Sequence, residues 1–349
     1  MIPLIRPNIP KPGVWAPFLE ETYRKGQFTN FGHNYFKCVE DLRRITGRYC
    51  VPVTNGTAAI TLAVKLLRAK GYDETVYVPD FTHAGSFLGA SNAGALSIAI
   101  APVSEKTWTI DRDKIAPLPG SIIIVVSPFG YGVDIPRFER WAEEKEVALV
   151  YDFAGGFGID VKSTKWPVCH SFHSTKNLPI GEGGVVSMKD EFHADLIRRM
   201  SNFENDLNRN ILSDWGENSK MDEFRCSILR AQLAYGMRNY ENRHVKNSML
   251  INLYAKEFNL KHGVLSGSRP SLCVLGHDRL DGRDLEREFM IYDITVKKYY
   301  IPLTEMSGLS QYSFGLKSPK LFSNCFAFPT DVSDKELECI LETGRKILR

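Results

Sequence analysis

Ser121-Ile122-Ile123-Ile124-Val125-Val126-Ser127 and Val147-Ala148-Leu149-Val150-Tyr151-Asp152 stand on either side of an amphipathic stretch, residues 134–146. Neither run alternates polar with apolar residues. A strand covered on one face alternates, whereas a strand covered on both faces reads as a continuous apolar run. Strand, helix, strand in this order predicts a mostly parallel sheet with helices packed on both sides.

The same alternation extends outward. Upstream, the pattern predicts strands over 50–53, 75–79 and 96–102. A helix over 57–69 places Ile60, Ala63, Val64 and Leu67 on one face, and a second helix lies near 84–93. The character changes after about residue 190. A helix near 191–201 leads into a polar loop over 202–219, and a long helical stretch runs from 222 towards 257. A strand near 271–275, a helix over 281–289, strands around Ile294 and Cys325 and a final helix over 333–348 complete the chain. The expected class is α/β. A large domain over 1–235, with an amino-terminal arm, carries the parallel sheet, and a smaller α+β domain spans 236–349.

Composition narrows the function. The 349 residues carry a formal charge of +3, with 43% apolar and 24% charged residues, so no basic surface calls for nucleic acid or membrane. Seven cysteines are scattered without CxxC spacing, which favours a reducing compartment over a disulfide framework or structural zinc. No apolar run reaches the roughly 18 residues of a membrane span, and a cytoplasmic protein is expected.

Three short segments carry chemistry. The first is Ser171-Phe172-His173-Ser174-Thr175-Lys176-Asn177-Leu178-Pro179-Ile180-Gly181-Glu182-Gly183-Gly184. One lysine lies between hydroxyls that can bind phosphate and glycines that let backbone approach a flat ligand. In a partly dry pocket such a lysine has a depressed pKa and forms an imine with an aldehyde. The second is Asp152, which ends an apolar strand where α/β sheets place ligands. A carboxylate there can hold a pyridine nitrogen protonated. The third is Thr54-Asn55-Gly56-Thr57-Ala58-Ala59, a strand-to-helix turn whose free N–H groups and Thr57 hydroxyl make an anion site. His83 follows the next strand and could cover a planar ring. Each has a plainer reading: a solvated lysine beside a turn, a capping aspartate, an ordinary N-cap, a lone histidine.

In their order and spacing these segments resemble the DegT/StrS sugar aminotransferases, a branch of the fold type I enzymes dependent on pyridoxal phosphate (PLP). The block from Ser171 to Gly184 is similar to the family's Ser-Phe-x-x-x-Lys-x-x-x-x-Gly-Glu-Gly-Gly signature, and it is the most specific match. Gly26 to Gly32, Asn55 to Ala59, Tyr131-Gly132 with Asp134, and Phe326 to Thr330 resemble further family segments. So does Gly216-Glu217-Asn218-Ser219-Lys220-Met221, with Lys220 in place of the usual arginine. The resemblance implies that Lys176 carries PLP as a Schiff base and acts as general base, and that Asp152 pairs with the pyridine nitrogen. It implies that Gly56, Thr57 and Ser171 hold the phosphate and that His83 stacks on the ring. It also implies a homodimer with shared active sites, in which Asn218 reaches the phosphate of the neighbouring subunit's cofactor.

The sequence departs from the family where a glutamine usually follows the central strand. Gly155 stands there, which is expected to remove a polar contact and open space. The segment from Tyr299 to Leu303, on the substrate side by the resemblance, is only loosely like the family's. The implied reaction moves an amino group from an amino acid, by family habit glutamate, to a keto sugar, nucleotide-linked in the leading reading. The acceptor can alternatively be a sugar without a nucleotide or a cyclitol ketone, and a regulatory protein that holds PLP without turnover is a further alternative. A sugar dehydratase of this family has histidine in place of Lys176. A nicotinamide enzyme fits poorly, because Gly155-Gly156-Phe157-Gly158 lacks GxGxxG spacing. His170 and His173, three apart on an expected strand, point to opposite faces, so no metal site is expected.

Overall fold

The computed structural model of the chain describes residues 1–204, 213–315 and 317–348. Residues 205–212 of the polar loop expected over 202–219 therefore lie outside the described residues. Two helices, α1 (Pro12–Lys25) and α2 (His33–Thr46), precede the first strand. Then β1 (Tyr49–Val53), α3 (Gly56–Ala69), β2 (Thr75–Pro79), α4 (Ala84–Asn92), β3 (Ser97–Ala101), β4 (Ile122–Val126), α5 (Ile135–Lys145) and β5 (Ala148–Asp152) alternate as the periodicity predicts. Next come β6 (Val168–Ser171), β7 (Gly184–Met188) and α6 (Glu191–Met200).

These seven strands form one sheet in the order β1-β7-β6-β5-β4-β2-β3. β2 to β6 pair in parallel, and β7 runs antiparallel to both neighbours. Every residue of β4 and β5 is buried, as their unbroken apolar runs require. The sequence pattern places one face of α3 against the core. In the fold α3 crosses β7 and β6 and also packs against α4 and α6, so Ala59 to Val64 are all buried along with Leu66 and Leu67.

The second half is more helical. A π-turn, Gln232–Gly236, joins α7 (Glu223–Ala231) to α8 (Met237–Phe258) in one helical run. β8 (Cys273–Gly276), α9 (Gly282–Met290), β9 (Lys297–Lys298), β10 (Cys325–Phe328) and α10 (Asp334–Ile347) follow, with the strands in an antiparallel sheet ordered β8-β10-β9. Ile294 itself makes a single parallel bridge to Ile2, and the strand lies just beyond it. The second core takes Ile2 and Leu4 from the amino terminus and Phe81, Trp108, Phe129 and Tyr131 from loops above the large sheet. The division expected at 235/236 falls inside the α7–α8 run.

In α2 the residues Tyr35, Cys38 and Leu42 form one buried face, and long-range contacts fix where its start is held. Glu223, 1% exposed, accepts hydrogen bonds from the backbone N–H groups of Asn34 at 2.7 Å and Tyr35 at 2.9 Å. A carboxylate from α7 thus satisfies the open donors at the start of α2.

Candidate functional site

β5 delivers Asp152 to the carboxyl edge of the parallel strands, where it is 4% exposed. Its Oδ2 accepts from the Ser86 hydroxyl at 2.6 Å, and its Oδ1 from the Ala154 N–H at 3.1 Å. Burial raises the carboxyl pKa, while those two hydrogen bonds and the positive charge of Lys176 act against the rise. Ser86 spends its proton on Asp152, so Thr82 is the donor in the 2.7 Å contact between their hydroxyls. Both hydroxyl residues are 1% exposed. This Thr82–Ser86–Asp152 chain was not legible in the sequence, because it joins the start of α4 to a strand 66 residues away.

Lys176 sits in the connection from β6 to β7. Ser171 pairs with Gly184 across those strands, and the connection folds back through Phe172 N to Gly183 O and Ser174 N to Gly181 O. Lys176 N donates to His173 O at 2.8 Å, which tightens the tip. Asn177 anchors it, with Nδ2 at 3.3 Å from the carbonyls of both Arg269 and Pro270. Burial lowers the Lys176 pKa, and the negative charge of Asp152 opposes this. The two groups therefore share one electrostatic environment.

The turn before α3 closes the same site. Asn55 is the N-cap, accepting from Ala58 N at 2.8 Å, so the plain capping reading of this motif also holds. Among the described residues the N–H groups of Gly56 and Thr57 have no partner. Gly56 lies against Ser171: a Cβ on it would stand 3.0 Å from the Ser171 Cβ. A Cβ on Gly184 would stand 2.3 Å from the Asn55 carbonyl oxygen, so the close approach of β7 to this turn requires glycine there. Gly56, Thr57 and Ser171 are thus brought together at one helix N-terminus.

His83 caps α4, its Nδ1 accepting from Gly85 N at 3.1 Å. Burial and then the charge of Lys176 lower its pKa, and Asp152 opposes them, so the ring belongs to the same cluster. Asn218 is exposed and lies in a loop that Val53 and Lys220 bridge to β1; its Oδ1 accepts from Lys220 Nζ at 2.6 Å. His170 is buried in β6 with Nδ1 3.1 Å from Phe153 O, and burial pushes its pKa down to about 4. His173 lies beyond the end of β6, so the two histidines do not share a strand as expected. Among the described residues no group of three His, Cys, Asp or Glu is placed to hold a metal, and no helix is long and apolar enough to cross a membrane. All seven cysteines are unpaired.

The expectation that Gly155 opens space is corrected. A Cβ there would stand 2.9 Å from Gly130 N and Phe129 C and 3.0 Å from Ser271 Oγ. The Phe129–Gly130 turn, with φ of 57° and 86°, fills that volume. The backbone N–H groups of Arg269 and Ser271 hold it by donating to Gly130 O and Phe129 O.

Comparison with known proteins shows the family and the fold. The model of the DegT/DnrJ/EryC1/StrS aminotransferase family matches residues 16–269. The protein Rv3402c of Mycobacterium tuberculosis is 30% identical over 257 residues, which cover 66% of this chain and 60% of that protein. The match thus spans under two thirds of this relative's length. The dTDP-3-amino-3,4,6-trideoxy-alpha-D-glucose transaminase of Micromonospora megalomicea is 29% identical over 375 residues, covering 94% of this chain and 98% of that one. The crystal structure of the sugar aminotransferase CalS13 from Micromonospora echinospora shares the fold, with a TM-score of 0.84 and 21% identity over 99% of this chain and 100% of that chain. The chain belongs to the DegT/DnrJ/EryC1/StrS aminotransferase family, whose members are PLP-dependent enzymes of fold type I.

Proposed function

We propose that this protein is a PLP-dependent aminotransferase that takes an amino group from an amino acid, L-glutamate, and passes it to a keto sugar carried on a nucleotide, by a ping-pong cycle. The observation that carries the reading is the convergence of a carboxylate, a lysine and an anion site on one sheet edge. The residues present fit the cofactor. A helix N-terminus with two open N–H groups, the Thr57 hydroxyl and the adjacent Ser171 suit its phosphate. Asp152 is a buried carboxylate that lacks a salt-bridge partner among the described residues, which suits a protonated pyridine nitrogen.

When bound, the cofactor supplies an aldehyde carbon and an electron-accepting ring. In our reading Lys176 Nζ is the attachment atom. Burial favours its neutral form, which is the nucleophile and, once released, the base that moves a proton. Hydrogen bonds from Ser86 and Ala154 favour the carboxylate form of Asp152 against the effect of burial, and that carboxylate would hold the ring nitrogen. His83 would cover one face of the ring, in an orientation fixed by Gly85 N donating to its Nδ1.

Asn218 of the partner subunit completes the phosphate site, which makes the working unit a homodimer. Tyr23, Phe28 and Phe224 support this: they are 63%, 37% and 41% exposed, with Tyr23 edge to face on Phe28 at 5.2 Å and Phe28 stacked on Phe224 at 5.8 Å. A contiguous aromatic patch of this kind suits burial against a second copy. Sequence relatives named as dTDP-sugar and UDP-sugar aminotransferases support the nucleotide-linked acceptor.

The test is the visible absorbance of purified protein with PLP, before and after glutamate. A yellow band that bleaches with glutamate, with release of 2-oxoglutarate, is the expected result. A protein that stays colourless with added PLP refutes the reading. A yellow protein indifferent to every amino acid would make it a cofactor-holding protein without turnover.

A further inference from the structure

The polar groups around Asp152 and His83 are almost all committed. Ser86 donates to Asp152, Thr82 to Ser86, Ser127 to Tyr131 O and Ser271 to Phe129 O, while His83 Nδ1 accepts from Gly85. Gly155 brings no side chain. Among the described residues the Tyr300 hydroxyl, like His83 Nε2, has no hydrogen-bond partner. Trp108 and Tyr151 also leave polar atoms unmatched, but those are sealed in the core, whereas the Tyr300 hydroxyl is not.

Tyr300 is held over this edge from both ends. Tyr299 N donates to Cys325 O, and two residues beyond Ile301 the chain is pinned where Leu303 N donates to Asp80 O and Thr304 N to Asp80 Oδ1 at 2.9 Å. Its ring stacks on Phe129 at 4.7 Å and 19°, and that turn is the one packed against Gly155. The ring meets Phe81 at 5.6 Å and His83 at 6.1 Å, both edge to face. Burial, and after it the negative charge of Asp152, holds the hydroxyl protonated. A fixed, protonated and unpaired donor therefore borders the site on the side where Gly155 offers nothing.

We propose that the Tyr300 hydroxyl is a cofactor-binding group, donating a hydrogen bond to an oxygen on the pyridine ring of bound PLP. This rests on the function proposed above. Removing one such bond weakens binding by about fivefold to tenfold and moves the ionisation of whatever accepts it.

The experiment compares wild type with Tyr300→Phe, which keeps the stack on Phe129. PLP dissociation constants and the pH midpoint of the visible band are measured in the absence of substrate, together with apoprotein melting. The expected result is unchanged melting, weaker PLP binding and a displaced midpoint. Identical affinity and midpoint overturn the assignment, as does a change confined to the KM of the keto acceptor, which would make Tyr300 a substrate contact. If the variant melts early, the free energy of PLP binding is taken from ligand-induced stabilisation of each protein against its own apo form. Equal stabilisation again overturns it. Wild type that never binds PLP would instead refute the function itself.

Discussion

Replacing Ser86 by Ala tests the electrostatics of the site without touching any group that reacts. The lost contact is a 2.6 Å hydrogen bond to Asp152, between side chains 1% and 4% exposed. Hydrogen bonds to buried charged groups are worth about 1.5–3 kcal/mol net, because neither partner can turn to water instead. Burial already raises the Asp152 pKa, and Ser86 is the largest influence opposing that rise. The variant therefore raises it further. Pairing with a protonated ring nitrogen requires the carboxylate, so the loss falls on PLP binding and amounts to about tenfold to a hundredfold in dissociation constant. The sign in pH follows: PLP binding fails as the acid protonates, and the acidic limb moves to higher pH in the variant. The assay is titration of the visible band with PLP across pH. Thr82→Val in the same background removes the orphaned Thr82 hydroxyl and separates its cost from that of Asp152. A Ser86→Ala protein with wild-type affinity and an unmoved acidic limb would refute the assignment of Asp152 as the ring's partner.

Lys176→Met should bind PLP without a covalent link, so borohydride will fix the cofactor to wild type at Lys176 and leave the variant unlabelled by mass spectrometry. The same variant carries a stability prediction. Burial lowers the Lys176 pKa below 10.5, so between the folded value and 10.5 the unfolded chain binds more protons and wild-type stability rises with pH. Apo Lys176→Met should melt higher than wild type near neutral pH, with the advantage fading towards pH 10.5. Equal melting at all pH values would mean the ammonium is as well solvated folded as unfolded. Gly155→Ala places a Cβ at 2.9–3.0 Å from fixed backbone and from Ser271 Oγ, so it should cost about 1–3 kcal/mol in denaturant midpoint. An unaffected midpoint would mean the Phe129–Gly130 turn moves freely, and the packing behind Tyr300 would need revision.

How much of this was legible beforehand depends on distance along the chain. The strands expected over 75–79 and 121–127 and the helices expected near 84–93 and 134–146 are local patterns, and apolar periodicity placed each to within a residue at either end. Asp152, Gly56 and Thr57 stand at a strand end and a strand-to-helix turn that short segments specify, whereas Lys176, inside the β6–β7 connection, was singled out by the resemblance of its whole block; the roles of all four are those proposed above. The plain reading of Asn55 as an N-cap holds, and it leaves room for the ligand reading proposed for its neighbours, since one residue caps while the next two leave their donors open.

What the sequence could not state is which distant backbone comes to rest against which. Gly155 looked like a vacancy because a missing side chain suggests space; only the fold shows the Phe129–Gly130 turn pressed into it. Ser86, Tyr300 and Glu223 carry no local signal at all, since their partners stand 66 residues or more away or in other elements. Periodicity encodes which face of an element is buried, and that determined the sheet and its covering helices, while the residues proposed for the chemistry at its edge came from short motifs and their resemblance to the family's. Register, the reversed direction of β7 and the second layer around Asp152 arise from long-range packing, where many weak contacts select one arrangement together and no short segment specifies it.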